Sequence, residues 1–363
     1  MKITKPVLLG VMAGLVLSTA AAVTPAFADP VSDSYVAVGS DTLDASMNAL
    51  VNGTKVTGST VRIKASGSPL ASFDAFGSSL IQTKPTGPYF VRPEGSGNGV
   101  NSLIASIRGT GWQGVDITGQ VDIARSSSGA GSNANANGNL IYVPYGRDAV
   151  AYAYLPVAGH ESDLASLTTA QLKAIYNGTL TTVGSTTVNA MIPQNGSGTR
   201  KFFLNAIGVS SDSTCPLSVC TTSTVPENDA SKLTVAGSII PFSAANFIAQ
   251  SNNVQTNTIG NSGVRLGAPD GNAPFTGSGS NLVPSSTFYA TSYGRDTYLV
   301  VEYARINPSD SKYDATLAAL VDSSSTGSLT NFTAALPSQP GSVKKKFGFL
   351  APSTTTPTRA YTW

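Results

Sequence analysis

Histidine is almost missing from this chain: His160 is the only one in 363 residues. One histidine leaves a serine hydrolase without a choice of general base, and no Gly-x-Ser-x-Gly elbow accompanies it. It also leaves a metallophosphatase or a zinc centre without its usual ligand cluster. His160, in "VAGHESD", reads as a surface-loop residue. Charge is scarce too, at 12% Asp, Glu, Lys and Arg with a net +2. The high charge of a disordered chain is therefore absent, and so is any basic stripe for nucleic acid. The run Lys344-Lys345-Lys346 is expected to be a solvated turn. There are two cysteines, Cys215 and Cys220 in "CPLSVC", and in an exported chain a local disulfide between them is the expected state.

Long apolar runs are missing everywhere except at the N-terminus. There Lys2 and Lys5 precede "PVLLGVMAGLVLSTAAAV" and then "TPAFADP", with small residues at Ala26 and Ala28. This pattern predicts a secretory signal peptide over residues 1–28, cleaved near Ala28. No cysteine stands at that point to carry a lipid anchor, and no later segment reaches membrane-spanning length. The expected product is a secreted or periplasmic protein without a transmembrane helix.

Removal of residues 1–28 leaves 363 − 28 = 335 residues, more than one hydrophobic core usually organises, so two lobes are expected. Strand-like runs ("SYVAVG", "GVDI", "VDIARS", "LIYVPYGRDAVAYAYL", "VNAMIPQ", "TYLVVEYARI") alternate with helical patterns ("DTLDASMNALVN", "GVNSLIASI", "LTTAQLKAIYNG", "TRKFFLNAIG", "DATLAALVD"). That alternation argues for an α/β fold. The segment from Asn252 to Asn281 is aperiodic and reads as a long loop.

Three strand-like runs end in a Gly/Ser cluster that opens a helix: "AVGSDT", "RPEGSGNG" and "PQNGSGT". Amides of such turns, with a helix N-terminus behind them, suit an anion. A nucleotide P-loop is not among the options, because no Ser or Thr follows Lys201 in "NGSGTRK". The plain alternative is a strand-to-helix link with Thr199 as N-cap.

"YVAVGSDTLDASMNAL", "VDIARSS", "YGRDAVAYAY", "LTTAQLKAIYNG", "IPQNGSGTRKFF" and "IIPFSAANFIAQ" resemble, in this order, the PstS-like phosphate-binding proteins of ABC transporters. The resemblance implies a two-lobed type II periplasmic-binding-protein fold with a ligand cleft. Lobe 1 would comprise residues 29–147 and 285–363, with a strand in the return segment from Ser285. Lobe 2 would be 148–284. It implies a monomeric, non-enzymatic carrier of phosphate or a similar oxyanion, without cofactor or metal, that delivers its ligand to a membrane permease. The alternatives are a secreted phosphate-ester hydrolase or a surface adhesion protein on the same fold.

Carried over, the ligand contacts are Ser40, Asp41 and Thr42 in the first turn and Gly95, Ser96 and Gly97 in the second. Arg125, Ser126 and Ser127 belong to the third, and Ser197, Gly198, Thr199 and Arg200 to the fourth. The chain departs from the pattern twice: Ser127 falls where many members have Asp, and Pro193 where many have Arg. Arg125 or Arg200 is expected to supply the missing positive charge. Asp148 is expected to face the cleft, to cap the next element or to pair with Arg147. Arg125 could instead pair only with Asp122 or another carboxylate.

Overall fold

The computed structural model describes residues 29–209, 224–260 and 262–363. The expected signal peptide and the Cys215–Cys220 pair lie outside the described residues.

The elements used below are, in chain order, β1 (Val36–Gly39), α1 (Asp44–Asn52), β2 (Ala71–Ser72), α2 (Gly95–Arg108), β3 (Ile123–Ser126), β4 (Leu140–Tyr154), α3 (Thr169–Tyr176), β5 (Asn189–Ala190) and β6 (Ile192–Pro193). Then come α4 (Gly198–Ala206), β7 (Thr224–Val225), β8 (Ser238–Ser243), α5 (Ala244–Ser251), β9 (Arg265–Leu266), β10 (Gly294–Glu302), α6 (Ala315–Val321), α7 (Pro340–Lys346) and β11 (Thr358–Ala360). A nine-stranded sheet runs β2-β1-β3-β10-β4-β8-β5, with β9 and β11 also paired to β4. β1 lies parallel to β2 and β3, whereas β10 is antiparallel to both β3 and β4.

β1 is buried at every position, as expected of a parallel strand covered on both faces. β4 is long enough to serve two halves of the molecule. Its residues 140–149 pair with β10, and 150–154 pair with β8. The pairing with β10 shifts by one residue between Thr297 and Tyr298. Two apolar clusters draw mainly on residues 36–145 and 299–360, including Leu50, Ile123, Leu299 and Phe349. Two others draw mainly on 149–293, including Tyr176, Phe203, Ile239 and Phe242.

Local signals act as the sequence suggests in α3. Thr168 accepts from the Gln171 amide at 3.1 Å while Gln171 Oε1 accepts from the Thr168 amide at 2.9 Å, a reciprocal capping box. Its apolar face, Leu172, Ile175 and Tyr176, is buried.

Four expectations need correction. Residues 303–306 of "TYLVVEYARI" form a helical turn, from which Arg305 reaches Asp122 and Asp314 at 2.7 and 2.9 Å. "GVDI" is a tight turn closed by a Trp112–Val115 bridge. The return strand begins at Gly294; Ser286–Tyr289 are helical, capped by Ser285. The lysine run belongs to α7, and Lys344 is fully buried, donating to the carbonyls of Tyr145 and Leu329 at 2.8 and 3.0 Å. Burial holds its amine well below the usual lysine value. Among the described residues no helix is long and apolar enough to cross a membrane.

Candidate functional site

The four Gly/Ser turns arise from different strands, and the fold brings them to one place. The first leaves β1, where Gly39 has φ +115° and a Cβ would stand 2.6 Å from the Arg125 carbonyl. Only glycine lets β1 approach β3 that closely in this conformation. Ser40, Asp41 and Thr42 follow, all buried, and the Ser40 hydroxyl has no partner among the described residues.

The second turn opens α2 and the third ends β3. Ser96 Oγ accepts from the Ser127 amide at 3.0 Å and lies 3.1 Å from Ser127 Oγ. Ser126 instead closes its own turn, donating to the Ser128 carbonyl at 2.7 Å. The fourth turn opens α4, where the N-cap is Ser197 rather than Thr199. Ser197 Oγ accepts from the Arg200 amide at 3.1 Å and donates to Glu227. This frees the Thr199 side chain from a capping role.

The turns meet edge to edge. The Gly97 amide donates to the Gly196 carbonyl at 3.1 Å, and Thr42 Oγ1 lies 3.5 Å from Thr199 Oγ1. A Cβ on Gly198 would stand 2.3 Å from Ser127 Oγ and 2.5 Å from Ser96 Oγ. The Gly95 counterpart would meet the Gly196 carbonyl at 2.7 Å.

Arg125 is fully buried beneath the first turn. Its N–H groups go to the carbonyls of Ser40, Ala37 and Phe73, to Ser72 Oγ and to Asp44. With these partners the guanidinium is held within the turn as a structural group. Asp122 pairs with Lys84 and Arg305 instead. Arg200, also buried, donates Nη1 to the Pro193 carbonyl at 3.0 Å.

The positive charge between Thr42 and Thr199 belongs to Arg295, which the sequence reading missed. Its Nη2 donates to Thr199 Oγ1 at 2.9 Å and Thr42 Oγ1 at 3.2 Å. Asp148 holds it from behind, accepting from Nη2 at 2.9 Å and Nε at 3.1 Å. The other Asp148 oxygen accepts from Ser243 Oγ and the Ala245 amide, both at 3.0 Å, so Asp148 also caps α5. Arg147 pairs with Asp296 instead. Arg295 Nη1 is buried without a partner among the described residues, a donor whose isolation is costly unless something accepts from it.

A family model for a PBP superfamily domain matches residues 24–319. The chain belongs to this family. Two solved structures resemble it: an ABC-type phosphate transport receptor from Vibrio cholerae and a human phosphate binding apolipoprotein. The first is 17% identical, with 88% of this chain and all of that chain covered and a TM-score of 0.51. The second is 11% identical, with 88% and 92% covered and a TM-score of 0.51. At these identities the likeness speaks for the fold, a two-lobed α/β architecture. No curated protein matches the sequence.

In this PBP-family chain Tyr-Gly-Arg-Asp occurs twice, at 145–148 and 293–296. The copies pair antiparallel, Arg295 opposite Asp148 and Asp296 opposite Arg147. Their repetition was the signal that could have marked Arg295. Glu227 was also missed. Its carboxyl lies beside Asp41, and each keeps a buried oxygen without a hydrogen-bond partner among the described residues, Asp41 Oδ1 and Glu227 Oε1. Burial first, then Glu227, holds Asp41 well above the usual carboxylate range, against the Asn228 amide that donates to it at 2.9 Å. His160 is an exposed loop residue 3.9 Å from Asp163.

Proposed function

We propose that this protein is an extracytoplasmic solute-binding protein that captures an inorganic oxyanion, phosphate first, and hands it to an ABC-type permease. The carrying observation is the junction at Arg295: a buried guanidinium with an N–H that has no partner among the described residues, flanked by the hydroxyls of Thr42 and Thr199. A planar guanidinium with a spare donor suits a tetrahedral oxyanion. Ser40, Ser96, Ser127 and the amides of Gly95 and Gly198 complete the set, and Asp41 closes one side; Ser197 and Gly97, whose donors go to Glu227, Gln194 and Gly196, hold the turns in shape. Ser126, Arg125 and Arg200 support the turns.

The lobes in this reading are 29–147 with 285–363, and 148–284, with β4 and β10 as the crossing strands. Contacts to both lobes would favour closure on the ligand. The signal peptide, the Cys215–Cys220 disulfide, the monomeric state and export belong to the same proposal. Calorimetric titration with phosphate and sulfate, run beside a phosphatase assay, tests it. Saturable phosphate binding without ester hydrolysis is expected; hydrolysis, or no binding of either anion, overturns it.

A further inference from the structure

A cavity of about 300 Å³ adjoins the converging turns. Ser96, Ser197 and Gly198 form one wall, so atoms assigned above to anion binding also face this space. The rest of the lining includes residues different in kind: Val100, Ala130 and Leu204, with Tyr142 and Tyr361. Small-molecule sites begin at about this volume and are built in this way, mostly apolar with a few placed polar groups.

Two further observations mark the cavity as more than a gap between lobes. Ser128 Oγ, on its lining, is buried without a partner among the described residues. Tyr361 has φ +59°, a conformation that costs a tyrosine energy and that its surroundings must hold in place. Its hydroxyl accepts from Asn133 Nδ2 at 3.1 Å, which sets a polar edge on the lining. On the rim, Lys201 and Asn205 are exposed on α4.

We propose that this cavity holds the organic body of a small phosphate monoester or phosphonate whose anionic head lies on the serine turns. The inference rests on the oxyanion reading above and narrows its ligand class. The head would use the Ser96 hydroxyl and the Gly198 amide. Its carbon-bearing substituent would lie between Val100 and Leu204, and a distal polar atom would meet the Tyr361–Asn133 edge.

The test is calorimetry on the full chain with inorganic phosphate, phenyl phosphate and phenol as probes. Phenyl phosphate is expected to bind roughly tenfold or more tightly than phosphate, the gain of burying a few apolar carbons. Phenol, lacking the anion, is expected to bind far more weakly than either. Asn205→Trp, on an exposed helix position, fills the cavity from its rim. It is expected to remove the advantage of phenyl phosphate and leave phosphate affinity unchanged; Tyr361→Ala, opening the lining, is expected to reduce the same advantage. Phenyl phosphate binding no tighter than phosphate, or keeping its advantage in both variants, overturns the inference. Tight phenyl phosphate with no phosphate binding keeps the cavity and removes the inorganic-ligand reading. No binding of either removes both.

Discussion

Replacing Thr199 by valine keeps the shape of the side chain and deletes one hydroxyl. In the structure that hydroxyl accepts from Arg295 Nη2 at 2.9 Å and faces Thr42 Oγ1 at 3.5 Å. Arg295 Nη2 keeps Asp148 and Thr42 as acceptors, so the fold should lose only about 1 kcal/mol, the scale of one hydrogen bond. A bound anion loses more. A hydrogen bond to a charged group contributes about 1.5–3 kcal/mol, or about one to two decades in Kd. Thr168→Val provides the contrast. Thr168 is also a hydroxyl at a helix start, but its bond serves the Gln171 amide, and loss of a cap costs about 1 kcal/mol. Urea denaturation should show the two variants similarly destabilised, while calorimetry with phosphate should show only Thr199→Val weakened. Equal Kd values in both variants and the parent would refute the placement of the anion at this junction.

Gly198→Ala should weaken phosphate binding by about a decade or more with little loss of fold, because its Cβ would stand 2.3 Å from Ser127 Oγ on the facing turn; calorimetry and a melting curve separate the two. The raised value of Asp41 means that its contribution to stability is complete below the unfolded carboxylate value of about 4 and declines as pH rises through the raised one. Glu227→Gln removes the carboxylate beside it, so the fall in melting temperature with rising pH should flatten; an unchanged slope would exclude the pair as its source. Lys344→Met should cost about 1–3 kcal/mol by leaving the Tyr145 and Leu329 carbonyls unanswered. Lys345→Ala, at an exposed position of the same helix, should stay within about 0.5 kcal/mol in urea denaturation.

What could be read from the sequence is what neighbouring residues decide. Gly/Ser clusters after strand-like runs marked the turns, and Thr168 with Gln171 marked the start of α3, because capping and turn chemistry act over a few residues. Arg295 stayed hidden because its partners Thr42 and Asp148 lie 253 and 147 positions away. Arg125 was misread for the same reason: only the fold brings Asp44 and the carbonyls of Ala37, Ser40 and Phe73 around it. Three adjacent lysines look solvated in sequence, yet helical geometry turns Lys344 inward while Lys345 and Lys346 stay exposed.

The doubled Tyr-Gly-Arg-Asp also makes the alignment of the two crossing strands self-checking. In the native pairing each arginine opposes an aspartate. Sliding β10 one residue along β4 would set Arg295 opposite Arg147, and sliding it the other way would set Asp296 opposite Asp148. Both errors place like charges face to face in a buried sheet. The danger is real, because Tyr298 to Glu302 already pair one residue out of step with Gly294 to Thr297. Continued straight on, that outer alignment would bring the two arginines together. The bulge leaves Tyr145 as the extra residue and restores opposite charges, and Tyr145 is anchored there by a 2.9 Å bond between its hydroxyl and Ser46. Strands so distant in the chain close a costly loop when they pair, and a misaligned pairing would add to that cost the repulsion of like charges set face to face.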